Sequence, residues 1–364
     1  MAAGGTAVPI GPVPGAASLP PGSICPICGA SDGLESIVLR EMLFGTRESF
    51  EYRHCHTCGV LWLREPPDDM SAFYPPSYHA DPPSTPTGRP LGPGRWLQQE
   101  AASRRLFGGH RFTAKLARRF GSPLPNDVEA VRPLVRASGI GSFDDAILDV
   151  GCGPVPERLQ QLALVGFRRL LGIDPMIPSS LAYQGIPVER LTIDEVPGQF
   201  ALIMFHHSFE HVADPRATLR AAAQRLHPGG AILIRTPVMG TWFWETYGTS
   251  WWELDAPRHL FVHTARSLEL LGAEAGLELR KVVFDSTYLE IVASDQIARG
   301  IAWRDPGSSW QNLEAPELAT TVASARETVR QLNAAGRGGR AAFLFRAPGG
   351  RNSVPRAVSP RRRS

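Results

Sequence analysis

The chain has 364 residues, of which 43% are hydrophobic and 20% are charged. Its length allows one large domain or two ordinary ones, and its composition excludes a disordered, collagen-like or coiled-coil chain. The net charge of +3 is too small to indicate a nucleic-acid-binding protein. Because the sequence has no run of eighteen apolar residues and no basic start to a secretory signal, we expect a cytoplasmic protein.

Composition divides the chain into five parts. Residues 1–23 are rich in Pro, Gly and Ala and are predicted to be disordered, whereas residues 24–79 form a cysteine-bearing, zinc-ribbon-like segment. Residues 80–95 are rich in proline and are typical of a linker. Residues 96–347 are expected to form the main domain, and residues 348–364 a disordered basic tail.

Four of the five cysteines occur as two C-x-x-C pairs, each followed by glycine, at Cys25 and Cys28 and at Cys55 and Cys58. Zinc prefers four tetrahedral ligands, and a tight turn allows two thiolates to face one ion. The spacing therefore predicts a structural Zn²⁺ site made by these four residues. Such a site is closed, because it leaves no coordination position for catalysis.

The main domain begins with a basic stretch at residues 95–119 that also contains aromatic and aliphatic residues. This pattern is typical of a solvated helix packed beside its own domain, with contact to an anionic membrane surface as the alternative. From about residue 144, apolar runs alternate with helical stretches. This alternation predicts an α/β domain with a parallel, helix-covered sheet.

A glycine-rich turn, Gly151-Cys152-Gly153, follows the first apolar strand of this domain, which contains Asp149. Glycines allow the backbone to approach a ligand closely. A second strand ends in Asp174, where a carboxylate can accept hydrogen bonds from ribose hydroxyls. Together these features predict a nucleotide-binding site.

The run D-x-G-C-G at 149–153 resembles the opening of class I S-adenosylmethionine (SAM) methyltransferases. A dinucleotide-binding loop would carry a third glycine at position 156, which is Pro156, so a dehydrogenase is disfavoured. The resemblance implies a Rossmann-like, seven-stranded methyltransferase sheet with SAM as cofactor. The SAM contacts that it implies are Asp149, Gly151, Cys152, Gly153, Asp174, Pro175, Met176 and His206.

Two further runs, HHSFEH at 206–211 and LDAPRH at 254–259, match a bacterial methyltransferase subgroup, and the resemblance covers residues 144–347. The order of ribbon and methyltransferase is also similar to that of sugar C-methyltransferases. The first run resembles the E-x-x-E-H metal-contacting stretch of quinone-precursor O-methyltransferases, with His207 at the first position. A divalent metal is therefore an alternative to helix capping by Glu210 and His211.

His259 is the residue that we predict to be the general base, with His207 as the second candidate, because an imidazole can take a hydroxyl proton near neutral pH. Arg258 could bind an anionic group of the substrate. Residues 238–263 are rich in tryptophan and other aromatic residues. They are predicted to form either an apolar lid over the substrate or a structural clasp.

The sequence therefore predicts a SAM-dependent methyltransferase that acts on a small molecule or a carbohydrate precursor, with oxygen as the expected acceptor atom. Carbon methylation of a nucleotide sugar is one alternative. The other is a non-catalytic scaffold whose SAM site has degenerated, which the departures from the family pattern at Val155 and Ala201 would explain.

Overall fold

The computed structural model describes residues 23–75, 102–103, 105–107, 127–309, 313, 315 and 318–348. They divide between two compact units. The first unit contains the described residues within Met1–Tyr78, His206–Arg220 and Ile234–Phe343. The second unit contains those within His79–Phe205, Ala221–Leu233 and Leu344–Ser364. The predicted linker, both predicted disordered termini except Ser23 and Pro348, and most of the basic stretch lie outside the described residues.

Strands and helices alternate over much of the chain from about residue 144, as the apolar pattern predicts, although four strands follow one another between residues 170 and 206. The first elements are β1 (Leu34–Arg40), β2 (Ser49–Cys55), β3 (Leu61–Leu63) and a 3₁₀ turn at Met70–Phe73. The next are α1 (Asp127–Ser138), β4 (Ile147–Val150), α2 (Glu157–Val165), β5 (Leu170–Ile173), β6 (Leu181–Tyr183), β7 (Ile186–Glu189) and β8 (Phe200–His206). The last are α3 (Pro215–Gln224), β9 (Leu226–Pro237), α4 (Trp242–Tyr247), β10 (Phe261–Val262), α5 (Ala265–Glu274), β11 (Glu278–Phe284), α6 (Tyr288–Ala298), α7 (Ala319–Ala334) and β12 (Arg340–Arg346).

The larger sheet has eight described strands in the order β11-β12-β9-β8-β4-β5-β7-β6. Strand β4 lies between β5 and β8 and is parallel to both, and β7 is parallel to β5. All four residues of β4 are buried, and three of them are apolar, as expected for a strand covered on both faces. The carboxyl end of β4 is where the glycine-rich turn begins.

The eighth strand is a departure from the seven that the sequence predicts. Strand β6 is antiparallel to β7, to which it is joined by a two-residue turn at Gln184 and Gly185. Both turn residues have positive φ angles, 50° and 84°, as a tight hairpin turn of the type I′ class requires. The sheet is therefore mixed rather than wholly parallel.

The smaller sheet has the strand order β1-β2-β3-β10, and it lies within the first unit. Strands β1, β2 and β3 come from the predicted zinc-ribbon-like segment, whereas β10 comes from residues 261–262. Trp62 of β3 pairs with Phe261 of β10, and both side chains are almost fully buried. The small sheet therefore combines three strands of the cysteine-bearing segment with one strand from the predicted main domain, and β3 completes its hydrogen bonding and burial with β10.

Each unit has its own apolar core. In the second unit, α1 and α2 contribute buried residues that cluster with Leu202 of β8 and with Ile147 of β4. In the first unit, large aromatic side chains dominate, among them Tyr52, Phe243 and Trp251. None of the described helices combines the length and the apolar character needed to cross a membrane.

Candidate active site

The glycine-rich turn of the second unit has the backbone geometry that the sequence predicts. Gly151 and Gly153 adopt φ angles of 71° and 65°, a conformation that favours glycine. The amide of Gly151 donates to the carbonyl of Ile173, 2.8 Å away, which joins the turn to β5. A Cβ atom placed on Gly153 would have no atom of the described residues within 4 Å, so a ligand could approach the backbone there.

Asp174 follows β5 and is 9% exposed. One carboxylate oxygen accepts a hydrogen bond of 2.9 Å from the amide of Gly153, and the other accepts one of 2.8 Å from the amide of Met176. Each oxygen has a further lone pair that can accept a ribose hydroxyl. Asp174 therefore also orders the glycine-rich turn, a role that the sequence did not indicate.

Asp149 is 4% exposed, and its Oδ1 atom is buried without a hydrogen-bond partner among the described residues. Burial raises the pKa of Asp149 to about 7, with Asp174 adding to the rise and Arg158 opposing it. An unpartnered carboxylate oxygen is costly to bury, and a cationic amino group would satisfy it. The cluster of Asp149, the open glycine turn and Asp174 thus fits SAM, which carries an amino group and a ribose.

The other predicted SAM contacts lie close to these residues in sequence but differ in character. Cys152 packs closely against Gly172, because its Sγ atom would lie 2.5 Å from a Cβ atom placed on that glycine. Burial raises the pKa of the Cys152 thiol above its ordinary value. Pro175 and Met176 are half-buried in the turn after β5. His206, at the end of β8, has its Nε2 atom 3.2 Å from a guanidinium nitrogen of Arg235.

In the first unit the fold brings together Glu210, His211 and His259, and one potential ligand atom from each lies within 4.8 Å of the others. We call His211 and His259 the histidine pair; their ring centroids are 4.8 Å apart. Nδ1 of His211 donates to the carbonyl of Arg258 and Nδ1 of His259 to that of Glu253, each at 2.8 Å. Because carbonyls only accept, the neutral form of each ring carries its proton on Nδ1 and presents a lone pair at Nε2.

Glu210 is fully buried beside the histidine pair, and its Oε2 atom has no hydrogen-bond partner among the described residues. Burial alone would raise its pKa, but His207, His259 and His211 outweigh that effect, and the pKa lies below its ordinary value. The carboxylate is therefore ionised at neutral pH. A buried negative charge at this position can stabilise an imidazolium or bind a cation.

His207 is engaged at both ring nitrogens. Nδ1 lies 3.3 Å from Oε1 of Glu210, and Nε2 is contacted by a guanidinium nitrogen of Arg235. Burial lowers the pKa of His207 to about 4, so the ring is neutral at physiological pH. With Arg235 donating to Nε2, His207 has no lone pair left to accept a substrate proton, and this favours His259 over His207 as the base.

Arg258 does not have the exposure that binding of a substrate anion would require. Its side chain is 0% exposed, its Nε lies 3.0 and 2.9 Å from the carboxylate oxygens of Asp255, and a terminal nitrogen lies 2.8 Å from Oε1 of Glu41. Trp251 is 1% exposed and packs near Phe243, with ring centroids 6.3 Å apart. This packing favours the structural clasp over the lid for Trp251.

The four predicted zinc ligands lie together in the first unit, with their sulfur atoms all within 4.8 Å of one another. The Cys25–Cys58 and Cys28–Cys55 sulfur pairs are 3.7 and 3.6 Å apart. A disulfide would require about 2.05 Å, whereas four sulfurs at 2.3 Å from a tetrahedral zinc are about 3.8 Å apart. The geometry of Cys25, Cys28, Cys55 and Cys58 therefore fits zinc.

Sequence reasoning missed two residues that contact the loop carrying His259. Glu41 reaches Arg258 across 217 positions of sequence, and Tyr52 donates to the carbonyl of His259 across 207. Neither residue belongs to a motif or follows a periodic pattern. The C-x-x-C pairs on either side of them were the only signal that this part of the chain is structured.

Part of the chain is similar to known proteins. Residues 110–282 match the family model described as a methyltransferase domain. This part of the chain is therefore similar to methyltransferase domains. Together with the mixed sheet of eight strands, this match confirms the predicted α/β methyltransferase fold, while the zinc ribbon stays a prediction.

Among curated relatives, this chain is similar to a ubiquinone biosynthesis O-methyltransferase of Idiomarina loihiensis, with 33% identity over 109 residues. That match covers 26% of this chain and 44% of the relative. The corresponding protein of Pseudomonas aeruginosa (strain PAO1) is 29% identical over 155 residues, which are 38% of this chain and 66% of that one. The chain thus spans less than half of the first of these relatives.

Among solved structures, geranyl diphosphate methyltransferase in complex with SAM is 15% identical. The match covers 71% of this chain and 92% of that chain, with a TM-score of 0.39.

Proposed function

We propose that the protein transfers a methyl group from SAM to a hydroxyl oxygen of a small molecule or carbohydrate precursor. The observation that carries the proposal is the buried, unpartnered Oδ1 of Asp149 beside the open glycine-rich turn. The choice of oxygen as acceptor atom is supported by the similarity to proteins named O-methyltransferases. No described residue specifically favours carbon methylation of a nucleotide sugar.

In this proposal the second unit holds the cofactor. Asp149 pairs with the amino group of SAM, Asp174 accepts hydrogen bonds from the ribose, and the backbone of Gly151 and Gly153 lies against the ligand. When bound, SAM supplies an electrophilic methyl group on a sulfonium sulfur. Asp174 keeps the turn in its binding conformation through its hydrogen bond with Gly153, so less ordering is needed on binding.

His259 is the proposed general base. The carbonyl of Glu253 holds Nδ1 protonated, so Nε2 is the atom that takes the hydroxyl proton as the acceptor oxygen attacks. The resulting imidazolium would be stabilised by the nearby carboxylates of Glu210 and Asp255, the latter 3.9 Å from Nε2. Methyl transfer then depends mainly on the positioning of donor and acceptor.

A divalent cation held by Glu210, His211 and His259 is the alternative means of activating the hydroxyl. The proximity of their ligand atoms and the unpartnered Oε2 of Glu210 favour it, as does the resemblance of residues 207–211 to a metal-contacting stretch. Such a cation would bind the acceptor oxygen and promote loss of its proton. Turnover that depends on added Mg²⁺ or Mn²⁺ would support the cation, whereas turnover independent of both ions would support His259 as base.

We expect the affinity for SAM to rise with pH up to about 7. Asp149 is partly protonated below that pH, and binding of an ammonium group requires its carboxylate, so the protein must release a proton. As the pH rises toward 7, the dissociation constant should therefore fall by up to about tenfold per pH unit, and above pH 7 it should level off. Isothermal titration with SAM between pH 5.5 and 7.5 measures this, and the ligand's amino group stays largely charged over that range.

Asp149→Asn should bind SAM weakly, with little dependence on pH. Asp144→Asn is the matched control, because Asp144 is an exposed acid of the same unit whose carboxylate contacts Arg168. If Asp149→Asn retains both the SAM affinity and the pH dependence of the wild type, Asp149 does not bind the amino group of SAM.

Purified protein is expected to carry about one zinc ion per chain, because four cysteine sulfurs lie at tetrahedral spacing. Elemental analysis by mass spectrometry measures this. Cys55→Ser should lose the metal, whereas Cys152→Ser should retain it, since Cys152 lies in the other unit. Protein prepared without chelators that contains no zinc would refute the assignment.

A further inference from the structure

We infer that the cysteine segment, described residues 23–75, positions the histidine pair, and that metal bound by its four cysteines maintains that position. The inference rests on the proposed function, in which His259 of this pair is the base. A closed four-thiolate site cannot take part in the reaction itself. Three sets of contacts within the first unit nevertheless connect it to the loop that carries His259.

The first contact is a hydrogen bond from Tyr52 to the backbone of His259. The Tyr52 hydroxyl donates to the His259 carbonyl at 2.9 Å, and the side chain of Tyr52 is 0% exposed. Burial raises the pKa of Tyr52 well above its ordinary value, so the phenol stays protonated and remains a donor. Tyr52 lies on β2, three residues before the predicted ligand Cys55.

The second set of contacts passes through Arg258. The carboxylate of Glu41 accepts hydrogen bonds from four backbone amides of its own loop, those of Leu43, Phe44, Gly45 and Thr46. It is thereby held in place to pair with Arg258, which also donates to the carbonyl of Phe73 at 3.2 Å. The carbonyl of Arg258 in turn accepts the Nδ1 proton of His211. The cysteine segment thus orients both members of the histidine pair.

The third set of contacts joins the second C-x-x-C turn to the residues that follow His259. The amide of Leu63 donates to the carbonyl of Leu260 at 2.9 Å, and the hydroxyl of Thr264 donates to the carbonyl of Cys58 at 2.6 Å. Gly59 has a φ of 76°, and a Cβ atom on it would lie 2.6 Å from Cγ2 of Thr264. Only glycine suits this position, so residues 260–264 pack directly on the cysteine turn.

These contacts make metal binding and the geometry of the histidine pair interdependent. The four cysteine sulfurs join the two cysteine turns to each other, so a bound metal would restrain both turns at once. Loss of the metal would free the cysteine turn that precedes β1 and the one between β2 and β3, and Tyr52 and Thr264 would lose their fixed partners. The Nε2 atom of His259 would then sample several directions, which lowers the fraction of molecules ready to react.

Tyr52→Phe tests this inference with the loss of one hydroxyl group. We expect kcat to fall about tenfold with the SAM dissociation constant unchanged. Hydrogen–deuterium exchange, read by mass spectrometry, should accelerate in peptides covering residues 258–264. Thr328→Val is the matched control, because it removes a hydrogen bond of the same kind, from a hydroxyl to the backbone carbonyl of Ser324, in the same unit. It should leave both kcat and exchange in that region as in the wild type.

Removal of zinc from the full chain with dipicolinic acid, followed by addition of zinc, tests the role of the metal. Exchange at residues 258–264 should accelerate on removal and return to its original rate on addition. Wild-type exchange and kcat in both Tyr52→Phe and metal-free protein would overturn the inference. If His259→Ala leaves turnover unchanged while Tyr52→Phe and metal removal still accelerate exchange at 258–264, the positioning stands and the assignment of the base falls.

Discussion

Replacement of His259 by alanine is expected to lower turnover by about 10²–10⁴-fold, the usual contribution of a positioned general base. The dissociation constant for SAM should not change, because Asp149 and Asp174, which we propose to bind the amino group and the ribose of SAM, are in the other unit. The physical reason is that Nε2 is the nitrogen whose lone pair is presented, while Nδ1 is held by the carbonyl of Glu253. Single-turnover kinetics with the acceptor, together with SAM titration, separate the two effects.

The loss caused by His259→Ala should shrink at high pH, where the acceptor hydroxyl ionises without a base. His227→Ala is the matched control, since His227 is exposed and contacts only its neighbouring backbone carbonyl among described residues. Its turnover should equal that of the wild type. A folded His259→Ala variant with near-normal turnover would exclude His259 as the base, and it would also count against the cation alternative, in which His259 is a ligand.

Arg258→Ala is expected to destabilise the protein by about 3–5 kcal/mol, the cost of leaving buried charges without their partner. Glu41 is 0% exposed and the side chain of Asp255 is 15% exposed, so neither carboxylate is well hydrated once the guanidinium is gone. Urea unfolding followed by circular dichroism measures the change. Arg168→Ala is the control, because it breaks an exposed ion pair with Asp144 and should cost less than about 1 kcal/mol.

The stability difference between wild type and Arg258→Ala should narrow as the pH falls. Burial alone would raise the pKa of Asp255, but the Arg258 guanidinium outweighs burial and holds that pKa below its ordinary value. A depressed carboxylate pKa stabilises the folded state above the ordinary pKa of about 4, and this stabilisation is lost as pH falls through the folded-state value. Equal unfolding midpoints for Arg258→Ala and Arg168→Ala at pH 7 would show that the buried ion pairs are unimportant.

The methyltransferase core was largely predictable because its signals are local. Strands buried on both faces are rich in apolar residues, as three of the four residues of β4 are, and α2 follows the glycine-rich turn. The short hairpin of β6 and β7 escaped prediction, because strands of three and four residues with partly exposed faces have too little apolar pattern to be recognised. This hairpin contains the strand β6, which the predicted seven-stranded sheet did not include.

By itself, the sequence determined the two cysteine pairs, the glycine-rich turn with its two acidic residues and the alternation of strands and helices. Each of these depends on residues that are close together along the chain or on a repeated turn. The tertiary structure alone decided that Glu41 meets Arg258, that Tyr52 meets His259 and that β3 pairs with β10. Partners separated by some 200 residues are selected by how strands assemble and which polar groups become buried together, and neither leaves a periodic signal in the sequence.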